Sequence, residues 1–221
     1  MRRKLKAVFF DMDGVMIDSE REMFDMLRKT LRHKNVELPL DEIIDTYMGF
    51  SSNYIYSTII EKYGFPQSVE EFRKEHYRLQ GSYYADGNLE PIPGLIMILD
   101  YLSARGVRMA IVSSTGSRNV LQALNRLAVI KYFDFIITGD IVESAKPSPE
   151  GYMRAAKYLG VTKSESFVIE DSKIGIKAAK GAGLEVVGFS ASEVKQDLSG
   201  ADTVAASFED LIKYIESQFE F

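Results

Sequence analysis

The sequence predicts an α/β fold, a parallel sheet with helices on both faces, interrupted by an inserted all-helical domain. Three observations predict it. From residue 95 onward, short apolar runs alternate with amphipathic stretches, the pattern of parallel strands buried on both faces. Between residues 18 and 88 apolar residues recur at helical spacing and no strand pattern appears. Several strands hand over directly to acidic or hydroxyl residues, at the ends where open parallel sheets bind ligands.

The first element is Ala7-Val8-Phe9-Phe10, an apolar run that reads as a buried strand. Asp11 and Asp13 follow it, then Gly14. Side chains two apart on an extended backbone point the same way, so two carboxylates crowd one small volume past the strand end. Like charges that close raise each other's pKa unless a cation sits between them. Taken alone, the stretch also reads as a strand followed by an Asp/Gly turn.

The insert comes next. Met23, Met26, Leu27, Thr30 and Leu31 mark one helix, Ile43, Ile44 and Tyr47 a second, and Tyr54, Ile55, Thr58, Ile59 and Tyr63 a third. Pro39, Gly49, Gly64 and Pro66 punctuate them. A further helix spans Val69 to Tyr84. His33 and His76 lie in this region without a partner pattern and are read as surface or helix-end residues. Pro91-Ile92-Pro93-Gly94 then makes a rigid turn that opens a helix, Leu95 to Ala104.

The alternation begins there. Val107–Val112, Phe135–Thr138, Phe167–Glu170 and Glu185–Phe189 read as strands. Asn119–Leu127, Pro149–Leu159, Ile174–Ala182 and Phe208–Phe219 read as helices. The first strand therefore joins the later sheet in one discontinuous domain, 1–17 with 89–221, and 18–88 form the helical domain. No internal repeat or low-complexity tract breaks this scheme.

Composition narrows the chemistry. With no cysteine, disulfides, thiolate metal sites and cysteine nucleophiles are excluded. The formal charge of −5 gives no basic footprint for nucleic acid, so an anionic ligand needs local positive groups or a metal ion. No apolar stretch is long enough to span a bilayer, and the basic start Met1-Arg2-Arg3-Lys4 precedes too short an apolar run for a signal peptide. The reading is a cytoplasmic protein with no membrane partner, most simply a monomer.

The residues beyond the strand ends form one constellation. The first strand gives Asp11 and Asp13. The second gives Ser113-Ser114-Thr115-Gly116-Ser117. Ala145-Lys146-Pro147-Ser148-Pro149 lies between the third strand and its helix, and Glu170-Asp171-Ser172 ends the fourth. Carboxylates without thiolates suit magnesium, which takes carboxylate, water and phosphate oxygens. Hydroxyls and backbone amides suit phosphate oxygens. A lysine can neutralise charge developing on a phosphoryl group. One aspartate can attack phosphorus and the other can shuttle a proton.

On these residues the sequence resembles the haloacid dehalogenase superfamily, in its branch of helical-cap phosphatases and β-phosphoglucomutase-like proteins. The resemblance rests on Asp11-Met12-Asp13-Gly14-Val15 with Asp18-Ser19-Glu20, on Lys146-Pro147-Ser148-Pro149-Glu150, and on Glu170-Asp171-Ser172, and it runs through essentially the whole chain. The Ser113–Ser117 stretch matches less closely, with Ser113 the best fit to the family's hydroxyl. The resemblance implies a Rossmann-like core, a helical cap, Mg2+ as cofactor and a small phosphorylated metabolite as substrate. It implies Asp11 as nucleophile and metal ligand, and Asp13 as general acid/base whose backbone carbonyl also meets the metal. Ser113, Ser114 and Thr115 would hold the phosphoryl group and Lys146 would pair with it and with Asp11. Asp171 would bind the metal, with Glu170 as ligand or supporting neighbour. Dehalogenation fits less well, because that branch uses neither the second aspartate nor magnesium.

Within the branch, two departures favour hydrolysis over mutase chemistry. Met23 stands where the mutase pattern has a histidine, and Ser51 and Ser52 follow Met48-Gly49-Phe50 where that pattern has a phosphate-binding arginine. The expected reaction is hydrolysis of a sugar phosphate or similar metabolite through an aspartyl-phosphate on Asp11. A β-phosphoglucomutase-like activity is the alternative, and a non-enzymatic phospho-acceptor domain a second, though the latter would lack the large insert. A glycosidase pair sits about 5–9.5 Å apart across a sugar, which two aspartates separated by one residue fit poorly. A cap implies closure over substrate about hinges near Val15–Ser19 and Asp86–Pro93. Glu20, Arg21, Ser51, Ser52 and Asn53 are its candidate selectivity contacts.

Overall fold

The apolar run Ala7–Phe10 has nowhere to put its four side chains except inside, and all four are fully buried. The computed structural model describes residues 2–48, 50, 52–86, 89–194 and 196–221. In it the chain divides into two compact units, Met1–Asp18 with Leu89–Phe221, and Ser19–Asn88.

In the first unit, β1 (Arg3–Lys4) precedes β2 (Ala7–Phe10). After the second unit's helices, numbered α1 to α5 below, come α6 (Leu95–Ser103), β3 (Arg108–Val112), α7 (Ser117–Arg126), β4 (Phe135–Ile137), α8 (Glu150–Leu159), β5 (Ser166–Glu170) and α9 (Lys173–Gly181). The chain ends with β6 (Glu185–Phe189), β7 (Thr203–Ala205), α10 (Phe208–Gln218) and β8 (Phe219–Glu220). Among the described residues β2 to β7 form a six-stranded sheet in the order β4-β3-β2-β5-β6-β7, every pairing parallel. Helices cover both of its sides, in a Rossmann-like arrangement. Ala7, Phe9, Ala110, Val112, Val168 and Val186 bury one face against Tyr152, Ala155 and Leu159 of α8 and Ile176 and Ala179 of α9. The alternate residues Val8, Phe10, Met109, Ile111, Phe167 and Ile169 are buried as well, as the period of two requires of a sheet covered on both sides.

Register positions the chemistry. Phe10 lies opposite Ile111 on one side and Ile169 on the other. The next rung therefore brings Asp11 level with Val112 and Glu170. β1, β7 and β8 were not among the strands read from the sequence. β1 and β8 pair in parallel, joining the two ends of the described chain, with the Arg3 guanidinium over the Phe219 ring at 4.4 Å.

The second unit contains α1 (Glu20–His33), α2 (Leu40–Tyr47), α3 (Ser52–Tyr63), α4 (Val69–Gln80) and α5 (Tyr83–Asp86). α1 buries Met26, Leu27, Thr30 and Leu31 of the stripe its spacing announces, with Phe24 buried as well and Met23 half-buried. α4 opens on a capping box in which Ser68 and Glu71 satisfy each other's backbone N–H. The helix expected over Val69 to Tyr84 is two helices, because Gly81 takes φ 73° and ends α4. A second correction concerns His76. It is buried, not superficial, with Nδ1 2.8 Å from the Thr30 hydroxyl. His33 is exposed in the last turn of α1. Among the described residues no helix is long and apolar enough to cross a membrane.

Candidate active site

Lys146 is the centre of the site. Its ammonium donates three hydrogen bonds: to Asp11 Oδ1 at 2.6 Å, to Glu170 Oε1 at 2.6 Å and to the Val112 carbonyl at 2.7 Å. An ammonium has three protons, so all are engaged. Asp11 continues the sheet, its N–H donating to the Ile169 carbonyl at 3.0 Å. The chain then turns: Gly14 takes φ +79°, and a Cβ there would lie 1.9 Å from Asp171 Oδ2. Glycine at 14 thus serves both the turn and the approach of a carboxylate. Asp171 Oδ2 also accepts from Gln196 Nε2 at 3.1 Å.

Glu170 is fully buried and its two oxygens receive four donors. Oε1 accepts from Lys146 and, at 2.8 Å, from the Tyr152 hydroxyl. Oε2 accepts from the Ser172 hydroxyl at 3.0 Å and the Ser172 N–H at 3.3 Å. Ser172 in turn caps α9 through Gly175 N–H. Gly175 leaves space for this carboxylate, since a Cβ would lie 1.8 Å from Glu170 Oε1.

Electrostatically the site is starved of positive charge. Burial pushes Asp11 up to about 7; Lys146 opposes this, while Glu170 and Asp13 reinforce it. Burial works against the lysine's charge, but Asp11 and Glu170 outweigh it and hold Lys146 above the ordinary lysine range. Burial, then Glu170, keep the Tyr152 phenol well above its usual value, so it is a donor. Oxygens of Asp11, Glu170 and Asp171 lie within 4.8 Å of one another. An all-oxygen set with one lysine among several carboxylates fits a hard divalent cation, which would offset the excess negative charge.

The sequence-derived candidates divide between the two units. Asp11, Asp13, Ser113, Thr115, Lys146, Glu170 and Asp171 meet at the ends of β2, β3 and β5. The Thr115 hydroxyl donates to Asp13 Oδ2 at 2.8 Å, and Thr115 N–H donates to Ser113 Oγ at 3.0 Å. Thr115 thus braces the second aspartate, a contact that its reading as a phosphate ligand did not contain. Ser113 is buried and Ser114 exposed; both line a cleft with Lys146, Ser148 and Tyr152. Glu20 opens α1 and Ser52 opens α3, both in the helical unit. Ser51 lies outside the described residues.

Some contributors were not read from the sequence. Tyr152 sits on the apolar face of α8 and looks there like a core aromatic. Gly175 looks like an ordinary helical glycine, and Gln196 like a loop residue. Asp18 accepts from the Ser192 hydroxyl at 3.0 Å and Glu193 N–H at 2.7 Å, which ties the end of the first motif to the loop after β6.

Comparisons with known proteins give the family. The family model for haloacid dehalogenase-like hydrolases matches residues 8–189. A phosphorylated carbohydrates phosphatase of Thermotoga maritima is 32% identical over 181 residues, 82% of this chain and 83% of that protein. A phosphoglycolate phosphatase of Aquifex aeolicus is 26% identical over 213 residues, 96% of this chain and 98% of that one. The crystal structure of a putative beta-phosphoglucomutase from Thermotoga maritima superposes with a TM-score of 0.79 at 29% identity, over 96% of this chain and 99% of that chain. The chain belongs to the haloacid dehalogenase-like hydrolase family, among relatives that are phosphatases.

Proposed function

We propose that this hydrolase is a magnesium-dependent phosphatase that releases phosphate from a small phosphorylated metabolite, a sugar phosphate first among them, through an aspartyl-phosphate on Asp11. It would act as a monomer in the cytoplasm. The observation that carries the reading is Lys146 bridging Asp11 and Glu170 within a buried, acid-rich cluster.

In the first step an Asp11 carboxylate oxygen forms a bond to phosphorus while the ester P–O bond breaks. Asp13 gives its proton to the departing oxygen. In the second step Asp13 takes a proton from water, whose oxygen bonds to phosphorus as the acyl-phosphate P–O bond breaks. Inorganic phosphate leaves and Asp11 is regenerated. Thr115 fixes the direction of Asp13, and Lys146 supports the charge on the transferring group. Ser113, Ser114 and their amides would bind the remaining phosphoryl oxygens. Asp11 and Asp171 through their side chains, and Asp13 through its carbonyl, would hold magnesium, which supplies charge neutralisation there. Glu170, with four donors on its oxygens, would hold Lys146 beside them. The sugar-phosphate reading rests on the 32% identical phosphorylated carbohydrates phosphatase of Thermotoga maritima, and selectivity is assigned to the helical unit, where Glu20, Ser51 and Ser52 are the candidate contacts.

The test is phosphate release from p-nitrophenyl phosphate and a panel of phosphorylated metabolites, with and without magnesium. β-Glucose 1-phosphate belongs in the panel, with glucose 6-phosphate formation followed to separate hydrolysis from mutase turnover. Asp11→Asn is expected to reduce release by about 10³-fold or more. An absence of magnesium-dependent turnover, or an Asp11→Asn protein as active as the parent, would overturn the reading.

A further inference from the structure

We propose that the Tyr152 hydroxyl is a positioning group for phosphoryl transfer: it shares Glu170 Oε1 with Lys146 and so holds the lysine at Asp11. The inference rests on the phosphatase reading above.

Tyr152 is fully buried in the apolar layer between α8 and the sheet. A phenylalanine would fill the same space, so packing does not call for the hydroxyl. A hydroxyl in an apolar layer costs free energy unless it finds a partner, and this one finds Glu170 at 2.8 Å. The same residue also touches the other half of the ion pair, with its ring centroid 5.0 Å from Lys146 Nζ. Tyr152 therefore contacts both Glu170 and Lys146 from one fixed side chain on a helix.

The consequence follows from donors and lone pairs. Glu170 Oε1 has two acceptor positions, filled by Lys146 and Tyr152; Oε2 is filled by Ser172. Without the phenol hydroxyl, Oε1 turns a bare lone pair toward its remaining donor among the described residues, Lys146. The ammonium is then drawn to Glu170 and away from Asp11, where charge builds on the transferring group. The loss falls on the transition state and leaves substrate binding nearly untouched.

The experiment compares Tyr152→Phe, Glu170→Gln and the double variant with the parent, using p-nitrophenyl phosphate and magnesium. Melting temperatures and orthovanadate affinity are read alongside the kinetics. Tyr152→Phe is expected to lower kcat about 10–100-fold with KM little changed, and to weaken orthovanadate in step. The double variant is expected to be no slower than Glu170→Gln alone, because the tyrosine acts through the glutamate. Tyr152→4-aminophenylalanine, which returns an N–H donor to the ring, is expected to restore kcat, and it decides the matter if Tyr152→Phe misfolds. A parent-like kcat in Tyr152→Phe, or losses that multiply in the double variant, would overturn the inference alone. A parent protein that hydrolyses no phosphomonoester would overturn the phosphatase reading and the inference with it.

Discussion

The two units bury polar groups in opposite ways. In the α/β unit, Asp11, Glu170 and Asp171 are buried ionisable groups with the half-buried Lys146 among them, held by bonds that reach across β2, β3, β5 and α8. In the helical unit a buried polar pair is Thr30 with His76, whose imidazole burial holds well below its ordinary value, at about 4, and hence neutral near pH 7. A neutral pair needs one hydrogen bond and little else. A buried cluster with more carboxylates than cations raises Asp11, by burial first and by its acidic neighbours after that, and has to be closed by donors on every side. Polar burial in the helical unit holds a fold together, whereas in the α/β unit it stores an electrostatic imbalance that a cation and a phosphoryl group can use.

That contrast can be broken first with acid. A histidine with a folded pKa near 4 and an unfolded pKa near 6.5 is protonated first in the unfolded chain. The unfolded state then binds more protons between these values, so stability falls as pH is lowered through them. The full span corresponds to about 3 kcal/mol. Urea unfolding at pH 7 and pH 4.5 should show His76→Leu losing less stability than the parent on acidification; an equal loss would place the acid sensitivity elsewhere.

A smaller effect is expected from Gly175→Ala, and it should separate activity from stability. The new methyl meets Glu170 Oε1, so Lys146 loses its seat and phosphate release should fall about 10–100-fold. Alanine gains up to about 1 kcal/mol over glycine within a helix, which offsets much of the disturbance to folding. Kinetics and a thermal melt on the same sample check this, and an unaltered rate would show that Glu170 can move without consequence.

The smallest change is expected in the helical unit's surface. Ser68→Ala removes one half of the capping box on α4 and should cost about 1 kcal/mol. Its turnover of p-nitrophenyl phosphate should match the parent's. A drop in kcat would show that this cap communicates with the chemistry.

Much of the architecture was legible because its signals are local. Ala7–Phe10, Phe167–Glu170 and Glu185–Phe189 announce themselves as apolar runs, and α1 as a helical stripe. The acids and the lysine are legible through their spacing after strands. Other features depend on partners far away in sequence. β1 and β8 are two residues each and exist only by pairing with one another. β7, three residues long, is equally unremarkable by itself. Gly81 breaks a helix that the apolar spacing would carry on to Tyr84. His76 reads as a surface residue until α1 brings Thr30 to it.

By itself, then, the sequence announced five of the sheet's six strands and the helical stretch between the first strand and the rest, and it singled out Asp11, Asp13, Lys146, Glu170 and Asp171 as candidates, since periodicity and strand-end chemistry are properties of neighbouring residues. Only the tertiary structure decided the strand order, the common level of Asp11, Val112 and Glu170, and the parts played by Tyr152, Gly175 and Thr115. Those depend on which donor reaches which lone pair across 18 residues between Tyr152 and Glu170, or 102 between Asp13 and Thr115. Hydrogen bonds saturate and are short-ranged, so their pattern is fixed only once the packed chain has set every distance.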